Sequence, residues 1–270
     1  MKISLVNDCH NEFQIWSVVN PDNADVLVMA GDIVPVYLLK DPKDGEKHTK
    51  FFEDCGKLYK DVIYIFGNHE LYFNDLATAL DVTKEHLKHI SNLHLVNNEV
   101  VEINDVAFFC GTMWSDANRE DPMTMLTLTQ SMNDYRYIKN TAKKSHYSYD
   151  DIIDPEDTVA EFKLFKKFLI KTMPLYQDKK CIVVSHHAPS FRAIPEEYKR
   201  DYHLNGGFAS NLDEFILNRP FIKYWLYGHS HSPNEFKIGE TTLINNARGY
   251  VGYERGPDNI DPYLPKTIEV

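Results

Sequence analysis

Val62-Ile63-Tyr64-Ile65-Phe66-Gly67-Asn68-His69-Glu70 sets the reading of the whole chain. Five β-branched and aromatic residues make a short buried run, and it stops at a glycine followed by an amide, an imidazole and a carboxyl. The pattern recurs. Ile3-Ser4-Leu5-Val6-Asn7 runs into Asp8-Cys9-His10, and Val26-Leu27-Val28-Met29-Ala30 runs into Gly31-Asp32. Cys181-Ile182-Val183-Val184-Ser185 is followed by His186-His187, and Tyr224-Trp225-Leu226-Tyr227 by Gly228-His229-Ser230-His231. Five predicted strands thus end in Asp, Asn and His, and six of the 12 histidines stand at their tips. Ligands of open α/β sheets bind beyond the carboxyl ends of the strands. The spacing therefore predicts that these side chains meet at one sheet edge.

Between the first three runs lie segments with apolar residues at helical spacing, residues 36–59 and 76–90. Residues 157–173 carry Val159, Phe162, Phe165, Phe168 and Leu169 on one face and predict a helix ended by Pro174. Strand–helix alternation argues for βαβ units and a sheet covered on both faces. Residues 100–103 and 106–109, joined at Asn104-Asp105, predict a hairpin, as do 236–238 and 242–244 around Gly239-Glu240. Two long segments, 111–157 and 188–210, read as irregular and are expected to form the pocket wall. With no repeat and no linker-like shift in composition, one domain over 1–270 is the expectation.

Composition excludes several classes. At 43% hydrophobic and 26% charged, the 270 residues are those of an ordinary globular protein. No stretch reaches the roughly 20 apolar residues of a membrane span, and the N-terminus lacks the features of a signal peptide. A cytoplasmic protein without a membrane partner is expected. The formal charge of −11 argues against binding long nucleic acid, which needs a basic face. It leaves room for a small phosphorylated substrate, because bound cations reverse the sign of a site locally. Oligomeric state is not legible. Cys9, Cys55, Cys110 and Cys181 are scattered without a C-x-x-C pair, which predicts reduced thiols.

Alone, Asp8 reads equally as a strand-end cap and Asp32 as a turn residue. Together, two carboxylates, one amide and at least four imidazoles are too many ligands for one tetrahedral ion. They fit two divalent metals sharing a ligand, a standard device of phosphoryl chemistry. The mixed oxygen and nitrogen set, without thiolates, makes manganese the first expectation, with iron, zinc and nickel as alternatives. The glycines before Asp32, Asn68 and His229 are expected to allow sharp turns. No H-E-x-x-H occurs, so a peptidase reading has no support.

Asp-x-His, Gly-Asp, Gly-Asn-His-Glu, a His after a strand and Gly-His-x-His, in this order from Asp8 to His231, resemble the calcineurin-like metallophosphoesterase superfamily. The chain also resembles a small bacterial and phage subgroup. The shared features are Met132-Asn133-Asp134-Tyr135-Arg136, His186-His187-Ala188-Pro189-Ser190 and Arg248-Gly249-Tyr250. The resemblance implies an αββα sandwich, two mixed sheets flanked by helices, with a dinuclear centre at the strand C-terminal edge. By position, Asp8, His10 and His231 would hold one metal and Asn68, His186 and His229 the other, with Asp32 bridging. His186 rather than His187 is the implied ligand. His69 would contact the scissile phosphate and serve the leaving group, and Glu70 would orient His69 or support the site. His187, Arg136 and Arg248 are candidate substrate contacts, although for the arginines a structural role is as well matched. Cys9 stands in place of the usual aliphatic residue and reads as a packed thiol.

The implied activity is hydrolysis of a phosphate ester by metal-activated hydroxide, most simply a phosphodiesterase on a small molecule or nucleotide. Phosphomonoesterase, protein phosphatase and a non-catalytic binding protein on the same fold are the alternatives.

Overall fold

In the computed structural model, which describes residues 1–142, 151–254 and 263–270, the apolar runs assemble into two facing sheets. The strands are β1 (Lys2–Val6), β2 (Val26–Ala30), β3 (Asp61–Ile65), β4 (Leu93–Leu95), β5 (Glu99–Ile103) and β6 (Val106–Cys110). They continue as β7 (Lys180–Val184), β8 (Ile222–Tyr227), β9 (Asn234–Ile238), β10 (Thr241–Asn245) and β11 (Lys266–Glu269). One sheet has the order β11-β1-β2-β3-β4 and the other β5-β6-β7-β8-β10-β9. The inner pairings are parallel, and β11, β5 and β9 add antiparallel edges.

The period of two along each strand divides the core. Ile3, Leu5, Val28, Ile63 and Ile65 meet Phe108, Ile182, Val184 and Leu226 between the sheets. The opposite faces carry Leu27, Met29 and Tyr64 against Phe51 and Phe52 of helix Gly45–Leu58. On the far side Phe109, Val183 and Trp225 pack against Phe162, Phe165 and Leu169 of helix Pro155–Thr172. The layering is helix, sheet, sheet, helix. Strands buried on both faces are why the sequence shows continuous apolar runs rather than alternation.

Some elements differ from the sequence expectation. Residues 36–59 form two helices, Val36–Leu39 and Gly45–Leu58, because Pro42 disfavours helical backbone at Asp41. Helix Pro155–Thr172 starts earlier than the apolar pattern, since the Asp154 side chain accepts from Asp157 N at 3.1 Å and Pro155 fits the first turn. β4 and β11 are too short to announce themselves, and β11 buries only Ile268. Segment 111–157 is not irregular throughout. It holds helix Pro122–Ser131, capped by Asp121, whose carboxylate accepts from Thr124 N at 2.8 Å. Of the remaining histidines, His48 is buried, and His86, His89, His94 and His203 bond Thr49, Glu53, Asp61 and Thr124. His146 lies outside the described residues.

Candidate metal centre

The tips of β1, β2, β3, β7 and β8 converge at one edge of the sandwich. Main-chain bonds lace them together, among them Asp8 N to Gly31 O at 3.0 Å, His10 N to Asp32 O at 3.0 Å and Gly228 N to His186 O at 2.9 Å. Asp8, His10, Asp32, His229 and His231 all have φ between 45° and 71°. Each such residue costs roughly 1–3 kcal/mol and persists only where its surroundings hold it. Gly31 shares the left-handed backbone, with φ 86°. Gly67 does not, and space is its requirement: a Cβ there would meet the Asp32 carboxylate and come within 2.7 Å of His186 Nε2. The expected turn role of the glycines thus applies at Gly31, and close approach explains Gly67 and Gly228.

Two groups of ligating atoms share one residue. Asp8, His10, Asp32 and His231 form the first, and Asp32, His186 and His229 the second. Asp32 Oδ2 lies 3.6 Å from His10 Nε2 and 3.4 Å from His186 Nε2. Asp8 Oδ1 lies 3.5 Å from His231 Nε2. Asn68 joins the second group: its amide donates to Asp134 Oδ1 at 2.8 Å, which turns Oδ1 toward His186 Nε2 at 3.1 Å. His186 Nδ1 donates to Ala30 O at 3.0 Å, leaving Nε2 as the inward atom.

These residues fit divalent cations. His10 Nδ1 pairs with Glu12 and His231 Nδ1 with Glu254, so both rings put their protons outward. Their Nε2 atoms then face one another at 2.9 Å, an arrangement suited to a cation between lone pairs. His229 Nε2 is buried without a partner among the described residues. Burial pushes the His229 imidazolium form far out of reach at neutral pH, so this ring presents a lone pair. Burial opposes ionisation of Asp32, but the His186 and His69 charges outweigh it and hold the carboxyl well below the usual range.

His69 belongs to neither group of two sharing Asp32. Its backbone N donates to Asp32 Oδ1 at 2.9 Å, its Nδ1 pairs with Glu12 Oε1 at 3.0 Å, and its Nε2 meets the Tyr250 hydroxyl at 3.0 Å. Burial opposes its charge, but Asp32 and Glu12 lift its pKa to about 9. Glu70 does not touch His69. It accepts from Asp32 N, Ile33 N, Gly67 N and the Tyr64 hydroxyl, and so clamps the β2 and β3 tips together. Burial and the Asp32 charge push Glu70 up to about 7.

The other candidates belong to neither ligating group. His187 packs between Trp114 and His229. Arg248 is buried and donates to the carbonyls of Cys9 and Gln14, while exposed Arg136 donates to the Gln130 carbonyl. None of the three lines the cleft over the centre. Cys9 is fully buried, and burial raises its thiol pKa, consistent with a packing role. Glu12, Asp134, Tyr250 and Glu254 complete the site, and the strand-tip pattern does not find them. Asp134 and Tyr250 sit inside the quoted segments 132–136 and 248–250, beside the arginines that drew attention by their charge. The cleft holds about 400 Å³ and takes walls from both long segments, including Met132, Asp134, Pro195, Tyr198 and Phe208.

Comparison with known proteins shows the family and the fold. Residues 1–233 match the family model of the calcineurin-like phosphoesterases. An uncharacterized protein of Acanthamoeba polyphaga mimivirus is 30% identical over 292 residues, covering 99% of this chain and 96% of that one. Phosphopantetheinyl hydrolase of Mycobacterium tuberculosis superposes with TM-score 0.69 at 11% identity, covering 99% of this chain and 95% of its own. A dimetal phosphatase from Danio rerio gives 0.51 at 11%, covering 93% and 88%. At such identities the structural likeness establishes a shared fold.

Proposed function

The chain belongs to the calcineurin-like phosphoesterase family and is a phosphoric ester hydrolase, and on that premise we propose that it cleaves a small phosphodiester at a two-cation centre. The carrying observation is Asp32, whose Oδ2 faces an imidazole of each group, at 3.6 and 3.4 Å. Asp8, His10 and His231 would hold one cation and Asn68, His186 and His229 the other, with Asp32 common to both. Manganese suits the oxygen and nitrogen donors, and no cysteine belongs to either ligating group. The bound pair would supply hydroxide near neutral pH and offset charge on the phosphoryl oxygens.

The chain's own groups do the rest. Asp134 fixes the Asn68 amide so that its oxygen points inward. His69 Nε2 is directed into the cleft and would hold a proton for the leaving oxygen. Asp134, Tyr72 and Phe208 form part of the cleft wall beside the candidate ligands.

The described lining carries no lysine or arginine beside the ligands. That favours a diester monoanion over a monoester dianion, since each further charge calls for a further cation. The test compares bis(p-nitrophenyl) phosphate with p-nitrophenyl phosphate in the manganese-loaded protein. The diester should show the higher kcat/KM. The reverse order makes the protein a phosphomonoesterase, and turnover of neither makes it a binding protein on this fold.

A further inference from the structure

Glu70 follows His69 directly, yet its carboxylate is engaged by three backbone N–H groups and Tyr64 on the other side of the tip. Another carboxylate serves His69. Glu12 Oε1 lies 3.0 Å from His69 Nδ1 and 3.0 Å from His10 Nδ1. We propose that Glu12 is the positioning residue of this site, one carboxylate oxygen fixing both a cation ligand and the imidazole that serves the leaving group. This inference rests on the phosphoesterase reading above.

The loop that carries Glu12 is built to place it. Asn11 N donates to Ile33 O and Phe13 N to His10 O, each at 3.0 Å, while Asn11 Oδ1 accepts from Trp16 N at 2.8 Å. Asn11 and Trp16 are buried, so the turn is anchored on both sides of residue 12. The Glu12 side chain is 13% exposed and lies behind the two rings rather than on the cleft wall. A carboxylate accepts only. Both Nδ1 atoms must therefore carry protons, and both Nε2 atoms point inward, His10 toward Asp32 and His69 toward the cleft and the Tyr250 hydroxyl. The ring centroids of His10 and His69 are 4.5 Å apart at 77°, so a shift of one ring displaces the other. Orientation of a catalytic imidazole by a carboxylate on its far nitrogen is a general device. Here the same oxygen links it to the cation site.

Leaving-group dependence separates this role from plain structural support. A p-nitrophenolate departs without a proton, whereas an alkoxide needs one, so loss of His69 function weighs more on an alkyl ester. Turnover of bis(p-nitrophenyl) phosphate and of dimethyl phosphate, which can lose only an alkoxide, should be measured for wild type, Glu12→Gln, Glu12→Ala, His69→Ala and Glu12→Ala/His69→Ala, alongside metal content. Glu12→Ala should lower the aryl reaction about tenfold and the alkyl reaction about 100-fold, the direction His69→Ala takes, with Glu12→Gln between. The double variant should be no worse than His69→Ala in its alkyl-to-aryl ratio. In metal-free wild type, ¹H–¹⁵N spectra should show a hydrogen-bonded His69 Nδ1 proton, and Glu12→Ala should abolish it. A wild-type ratio in Glu12→Ala, or effects that multiply in the double variant, overturns the inference, as does an Nδ1 proton that persists without Glu12. A wild-type protein that turns over neither ester instead refutes the phosphoesterase reading and leaves the spectra to decide the positioning role.

Discussion

Asp32 and His69 stand side by side in the centre, joined by the bond from His69 N to Asp32 Oδ1, yet they are expected to fail differently. Asp32→Asn removes the charge common to both groups. Bound metal should fall below one equivalent, and activity should drop more than 1,000-fold. His69→Ala leaves both ligand groups intact and should retain metal, losing 100- to 10,000-fold in turnover, the usual range for a general acid. Elemental analysis with parallel kinetics separates the two. Equal metal loss in both variants would assign His69 to the cation site. At this scale the residues that cluster at the sheet edge were legible because each follows a strand. Glu12, Asp134, Tyr250 and Glu254 were not, because loops bring them in and only tertiary packing fixes their partners. The arginines drew attention through chemistry: a guanidinium suits phosphate, and it equally suits the carbonyls that Arg248 holds.

Elements transmit order to the tips. Trp225 in β8 is fully buried, and its Nε1 donates to Ser185 Oγ at 2.8 Å. Ser185 in turn donates to the His187 carbonyl at 2.9 Å, one residue past the candidate ligand His186. Trp225→Phe removes that donor and part of the side-chain volume. It should destabilise the fold by about 2 kcal/mol, read by urea unfolding. Because β7 keeps its register on β6 and β8 through the ladder, metal content should stay at the wild-type level. A metal-depleted Trp225→Phe protein would show instead that the hydrogen bond itself sets the ligand. Strands were legible as elements since burial on two faces leaves an unbroken apolar signature. Helix Pro122–Ser131 was hidden by its weak apolar face, which buries only Thr124 and Leu128. Its start signal, Asp121-Pro122, was present in the sequence.

Over the whole molecule, the two sheets bury their shared face and leave one edge where strained backbone and buried carboxylates collect. Cations bound only to the folded chain stabilise it by mass action, about 4 kcal/mol at 1,000 times the dissociation constant. For a chain of this size that corresponds to a shift on the order of 10 °C in Tm. Chelation should lower the melting temperature by that amount, and manganese should restore it. An unchanged Tm would mean that the edge is stable without metal. No helix among the described residues is long and apolar enough to cross a membrane. The layering was legible from strand–helix alternation. The two sheets were implied by the family resemblance, but which strand joins which was not legible, since β5 starts the second sheet after β4 with nothing in the intervening residues to mark the change.

Anomalous diffraction from crystals loaded with manganese tests the shared-carboxylate centre most directly. Two peaks about 3.5–4 Å apart should flank the Asp32 carboxylate, one against His10 and His231 and the other against His186 and His229. A single peak, or density remote from Asp32, would contradict the account.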